Sequence, residues 1–229
     1  MNLISIKSLA KSKIKRSLRE AYEVCHSVPN NLALQWRKKQ FAKKLSNFEA
    51  PYKLHLGCGA IKFESWVNID LHLSSRAADI SWDLSQGIPL EDGSCEFLYC
   101  EHFLEHMNAE QGVAFLRECY RVLRSDGVIR IAMPSLDVLI EKSYQGNWRE
   151  QDWLTWPGFE FIQTRAEMLN ICFRSWGHQW LYDREELYRR LSEAGFEKIR
   201  DVEWRVSDIA ELRNRETRKD SFLICEAQK

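Results

Sequence analysis

Two glycines directly after an apolar strand are the first residues whose type and position could do chemistry. In Leu54-His55-Leu56-Gly57-Cys58-Gly59 the missing Cβ atoms let the backbone turn sharply and let a ligand approach it closely. Asp70 ends the next predicted strand, Trp66–Ile69, where it is set to accept hydrogen bonds from both hydroxyls of a ribose. Asp83 follows a third strand, Ala78–Ile80, and is set to accept from an adenine amino group, with the Leu84 amide nearby. Either aspartate alone reads equally well as a loop cap. Their order after successive strands is what points to a nucleoside. A dinucleotide fingerprint would need a third glycine where Lys62 stands, and its acidic residue about 20 positions on, later than Asp70.

The elements that must position these residues alternate in type. Strands are predicted at Lys53–Leu56, Trp66–Ile69, Ala78–Ile80, Glu96–Cys100 and Val128–Met133. A helix over Ala109–Leu123 carries Val113, Leu116, Tyr120 and Leu123 on one face. Ser125-Asp126-Gly127 should stop it, with the glycine supplying a left-handed residue. Asp183 caps a further helix that runs to Ala194 and ends at Gly195. Lys198–Trp204 and Ser221–Ala227 then read as closing strands. Strands separated by helices argue for an α/β fold, a Rossmann-like, mostly parallel sheet with helices on both faces.

Between Tyr144 and Tyr182 the alternation stops, and Trp148, Trp153, Trp156, Trp176 and Trp180 crowd together. They read as the core of an insertion, as the lining of an acceptor pocket above the carboxyl edge of the sheet, or as both. The domains expected are therefore a basic helical appendage over 1–50 and a main domain over 51–229, with the acceptor-side insertion at 144–182.

The 229 residues carry no net formal charge, but residues 1–50 hold eleven Lys or Arg against three Glu. Ile14, Leu18, Ala21, Tyr22 and Cys25 form an apolar stripe, and a break at Val28-Pro29 precedes a second helix over Leu32–Leu45. Its basic face holds Arg37, Lys38, Lys39, Lys43 and Lys44. That face reads as solvated, or as contacting an anionic membrane surface or anionic substrate. Nucleic acid is disfavoured because no recognition motif accompanies the charge. Seven scattered cysteines lack zinc spacing and suit reduced thiols. Early lysines and arginines interrupt any signal-peptide core, so cytoplasmic residence is expected, with the membrane at most a peripheral contact.

The motifs together resemble the class I S-adenosylmethionine-dependent methyltransferases. The matching pieces are the Leu54–Gly59 turn, Val67-Asn68-Ile69-Asp70, Trp82-Asp83-Leu84, Ile88–Glu96, Cys100–His106 and Glu118–Gly127. The resemblance covers about 51–135, with a looser echo in Gly177-His178, Tyr182-Asp183 and Glu193–Phe196. It leans toward a small bacterial branch associated with surface glycans or natural products. It implies S-adenosylmethionine as cofactor, with Gly57, Cys58 and Gly59 around its methionine moiety. Asp70 would then hold the ribose, Asp83-Leu84 the adenine, and the segment from Cys100 and Glu101 to His106 would flank the sulfonium. Departures are His55 in place of an acidic residue, Ile61 in place of a third glycine, and a link from Gly59 to Trp66 too short for a full helix.

Methyl transfer from a sulfonium needs an in-line nucleophile and a way to remove its proton. His106 and His178 are the candidate bases, one bordering the cofactor segment and the other the aromatic insertion. The acceptor would be a small molecule or a glycan, and no metal is assigned to this reading. Two alternatives remain: a protein that holds the cofactor without turnover, and a zinc hydrolase. The second arises because His102-Phe103-Leu104-Glu105-His106 spells H-x-x-E-H. On a helix, His102 and His106 would share a metal, with Glu105 as base and Glu185 or Glu186 as third ligand.

Overall fold

The computed structural model describes residues 31–71, 77–144 and 147–229. The apolar stripe from Ile14 to Cys25 and the Val28-Pro29 break lie outside them. By its internal contacts the chain divides into residues 1–42 and 43–229. Helix α1, Asn31–Leu45, runs across that division and exposes Arg37, Lys38 and Lys39. Lys44 is not part of a free basic face, because its Nζ donates to the Asp79 carbonyl at 3.0 Å. No helix among the described residues is long and apolar enough to cross a membrane.

The second unit is built on one seven-stranded sheet. Its strands are β1 (Tyr52–Leu56), β2 (Val67–Asp70), β3 (Ile80–Ser81), β4 (Cys95–Glu101), β5 (Leu123–Met133), β6 (Glu197–Asp201) and β7 (Leu223–Gln228). They lie in the order β3-β2-β1-β4-β5-β7-β6. The first five pair in parallel, and β7 runs antiparallel to both neighbours. Central strands read as continuous buried runs, as a sheet covered on both faces requires. This is the Rossmann-like α/β sheet expected. Helices α2 (Ala109–Val122), α3 (Leu136–Tyr144), α4 (Arg165–Arg174) and α5 (Arg184–Ala194) complete the fold.

Local chemistry explains the helix ends. Asn108 and Gln111 form a reciprocal capping box on α2, and Asp183 caps α5 through the Glu186 amide. Gly195 closes α5 in the left-handed conformation, as its position predicts. At the end of α2 the expectation fails in one detail. The left-handed residue is Asp126, with φ 65°, and not Gly127. Gly127 is needed for space: a Cβ there would lie 2.9 Å from the Arg124 carbonyl oxygen and 2.9 Å from the Leu123 side chain. The third strand is also shorter and later than predicted, because only Ile80 and Ser81 reach the pairing register of β2.

No helix joins β1 to β2. A polar knot replaces it: Asn68 accepts from the Phe63 amide at 2.8 Å and donates to the Phe63 and Trp66 carbonyls and to Asp79. His55, which departs from the family pattern, belongs to this knot. Its Nδ1 donates to Asn68 Oδ1 at 3.2 Å, and its ring stacks on Phe63. Burial pulls its pKa down to about 4, so it is a neutral core residue.

Further along the sheet, in register with His55 and Tyr99, Arg130 of β5 is fully buried. It donates to Glu216 at 2.5 Å, to Glu226 at 2.7 Å, and to the carbonyls of Val206 and Glu203. It thereby ties the long 202–222 connection to the sheet. Removing it leaves buried carboxylates uncompensated, although Arg200 still reaches Glu226. Arg130→Met should lower stability by about 3–5 kcal/mol in equilibrium urea unfolding. An unchanged midpoint would show that the connection is held by its apolar contacts instead.

Candidate functional site

The carboxyl ends of β1, β2 and β3 bring together the residues expected to hold a nucleoside. Gly57 and Gly59 both have positive φ, 69° and 54°. The amides of Gly57 and Cys58 donate to the Ile69 carbonyl, which clamps the turn to β2. At Gly57 a Cβ would come within 2.2 Å of the Phe103 ring, whereas at Gly59 nothing lies within 4 Å. The first glycine therefore admits a neighbour and the second faces open space. The Gly59 amide donates to Asp70 Oδ2 at 2.9 Å, so turn and carboxylate form one unit. Cys58 is buried, and burial followed by the charge of Asp70 pushes its thiol up to about 12.

Asp83 sits beyond β3 as the cap of a 3-10 turn, Leu84–Gln86. Its Oδ1 accepts from the Ser85 amide at 3.0 Å and the Ser85 hydroxyl at 2.6 Å. The turn is held by Trp82, whose Nε1 donates to the Gly87 carbonyl. Asp83 is thus the loop cap that its residue type allows, and the Leu84 side chain is buried beside it.

Cys100 and Glu101 end β4. Cys100 is buried in the sheet. Glu101 accepts from the Thr217 amide and hydroxyl, the Arg218 amide and the Ser221 hydroxyl. Its carboxylate is the anchor of the 217–221 segment. Sequence reading missed that pairing, since its partners lie more than a hundred residues away and carry no local signature.

The H-x-x-E-H pentad forms no helix. His102 takes a left-handed φ of 49°, and only Leu104–His106 make one 3-10 turn. His102 and His106 therefore do not share a helical face, and the zinc-hydrolase geometry is corrected on that ground. Glu186 is also spent, on Arg189 and Arg190. The turn is joined instead to Gln179 and Trp180. The Glu105 carbonyl accepts from the Gln179 and Trp180 amides, and Gln179 Nε2 donates to the His106 carbonyl. This staple brings His106 and His178 edge to face, with ring centroids 5.1 Å apart.

Both imidazoles are held below their ordinary pKa, His106 by burial and then by His178, His178 by burial against a bond to the Cys172 carbonyl. His102 is lowered to about 3 by burial and by Arg218. Glu105 is 1% exposed, and burial pushes its carboxyl up to about 8.

His106 and His178 open on a cavity of about 780 Å³ beyond the ends of β4 and β5. Trp153, Trp156, Trp176, Phe222 and Lys142 line it. The insertion forms a core of its own and also lines this cavity. Trp148 and Trp153 pack with Leu139, Ile162, Met168 and Cys172 in a core of their own, while Trp156 and Trp176 remain exposed.

Residues 69–131 match the family model of a methyltransferase domain. No curated protein matches the chain. Among solved structures it is similar to a SAM-dependent methyltransferase from Archaeoglobus fulgidus, with 14% identity, 92% of this chain and 99% of that chain covered, and a TM-score of 0.48. A SAM-dependent methyltransferase from Thermotoga maritima gives 15% identity, 87% and 95% coverage, and 0.47. The 1,6-didemethyltoxoflavin-N1-methyltransferase of Burkholderia thailandensis gives 12%, 100% and 91%, and 0.44. The family match spans β2 to β5, the strands that carry the aspartates and the histidine turn, so this part of the chain is similar to a methyltransferase domain.

Proposed function

We propose that the chain methylates a small-molecule or glycan acceptor seated in the aromatic cavity, with the donor held at the ends of β1–β3. The observation that carries this reading is the cavity itself. It adjoins the ends of β4 and β5, and its lining combines flat aromatic faces with two inward histidines. In this reading Gly57, Cys58 and Gly59 surround the methionine moiety, Asp70 accepts from the ribose, and Asp83-Leu84 meets the adenine edge. Cys100 and Glu101 contribute main chain beside the sulfonium. His106 and His178 face the acceptor atom and govern its proton. The aromatic walls suit the apolar face of a sugar or a planar ring, and Lys142 and Arg218 suit an acidic substituent.

Asp70→Ala should weaken binding of S-adenosylhomocysteine at least tenfold, about 1.4 kcal/mol, in calorimetry. Trp176→Ala should leave that affinity unchanged while lowering incorporation of labelled methyl into a cell extract. Unaltered nucleoside affinity in the first variant removes the ribose assignment; unaltered incorporation in the second removes the acceptor cavity.

We further infer that the basic segment within residues 1–45 contacts an anionic membrane surface, supported by exposed Arg37, Lys38 and Lys39. Changing these three to Glu should reduce co-sedimentation with phosphatidylserine vesicles. Equal retention of the variant would refute the contact.

A further inference from the structure

We propose that Glu105, His106 and His178 bind one divalent transition-metal ion, zinc foremost, with an open coordination position facing the aromatic cavity. One ligand atom from each residue lies within 4.8 Å of the other two. Zinc ligands in a tetrahedral site lie roughly 3.3 Å apart, given bonds of about 2.0–2.1 Å, so modest side-chain rotation closes the set. Two imidazoles and a carboxylate are a donor set that suits zinc better than magnesium, which prefers oxygen alone.

Two independent features point to a ligand here. Both carboxylate oxygens of Glu105 are buried without any hydrogen-bond donor. His102 Nδ1 stands 3.5 Å from Oε1, an ion-pair contact only when that ring is protonated. A buried carboxylate left without a partner costs several kcal/mol if ionised, and a cation removes that cost. The second feature is the orientation of His178. Its Nδ1 lies 2.8 Å from the Cys172 carbonyl. A carbonyl only accepts, so Nδ1 carries the proton and the Nε2 lone pair is left for a metal. That is the carbonyl-anchored tautomer typical of ligating histidines.

The topology gives the site a direction. His106 and His178 line the cavity, while Glu105 is sealed behind them. Three protein ligands on the inner side leave the fourth position toward the space where an acceptor would sit, the arrangement of a catalytic rather than a structural zinc. The two histidines would then act on an acceptor oxygen or nitrogen through the cation instead of as free bases. Only that role rests on the methyl-transfer reading; metal binding does not. The site also differs from the hydrolase set, because His178 replaces His102 and Glu105 is a ligand.

The test uses the full-length, tag-free chain, stripped with a chelator and titrated with Zn²⁺ by calorimetry, without cofactor or acceptor. One ion per chain is expected, with Mg²⁺ failing to compete. Glu105→Gln and His178→Ala should each weaken Zn²⁺ at least tenfold. Thermal melts guard against misfolding: the metal-free Glu105→Gln variant should melt no lower than wild type, and should lose the rise in Tm that Zn²⁺ gives the wild type. No stoichiometric binding, or binding that survives both substitutions, overturns the proposal. Loss of binding in Glu105→Gln together with a collapsed metal-free melt also overturns it, since Glu105 would then be structural.

Discussion

The sheet reverses its winding between β1 and β4, and the rest of the site depends on that reversal. From β1 the chain steps outward to β2 and β3, and from β4 it steps the other way to β5. Connections that leave in opposite directions open a crevice at the carboxyl ends of the two central strands. The glycine turn, the two aspartates and the histidine turn each follow a strand end on one side of that crevice or the other. The glycine turn, Asp70 and Asp83 lie on the β1–β3 side, and the histidine turn and the cavity lie on the β4–β5 side. In the proposed reading a methyl group crosses between these two sides, from a donor at β1–β3 to an acceptor at β4–β5.

Three tethers keep the crevice in shape where loops would otherwise be loose. The Asn68 knot stands in for a helix between β1 and β2. Glu101 collects the 217–221 segment onto the end of β4. The 104–106 turn is stapled to Gln179 and Trp180 through main-chain bonds. Each tether joins segments that local propensity leaves undetermined. Two of them also border groups at the site: Ser221 bonds His102, and the Glu105 carbonyl holds Gln179 and Trp180 next to His178.

What was legible in the amino-acid sequence followed from local rules. Apolar strands, the glycine turn, Asp183 as a cap and Gly195 as a stop are fixed by a few adjacent residues, and they appear as expected. The expectation of a left-handed Gly127 fails because a turn's left-handed residue, here Asp126, and its sterically small residue need not be the same one. The zinc-hydrolase alternative requires a helix through the pentad, which its spacing would fit. β4, however, extends through Glu101 and the strained His102 bend follows at once, leaving room for one 3-10 turn. The Glu101 anchor, the Arg130 network and the pairing of His106 with His178 were illegible. Each depends on residues brought together only by the sheet.

The account stands or falls on where the nucleoside sits. A crystal structure of the protein with S-adenosylhomocysteine reads this directly. The prediction is that both ribose hydroxyls lie within hydrogen-bond distance of the Asp70 carboxylate, with the adenine edge toward Asp83-Leu84 and the homocysteine sulfur directed at His106. A nucleoside bound away from the ends of β1–β3, or one whose sulfur points away from the aromatic cavity, would contradict it.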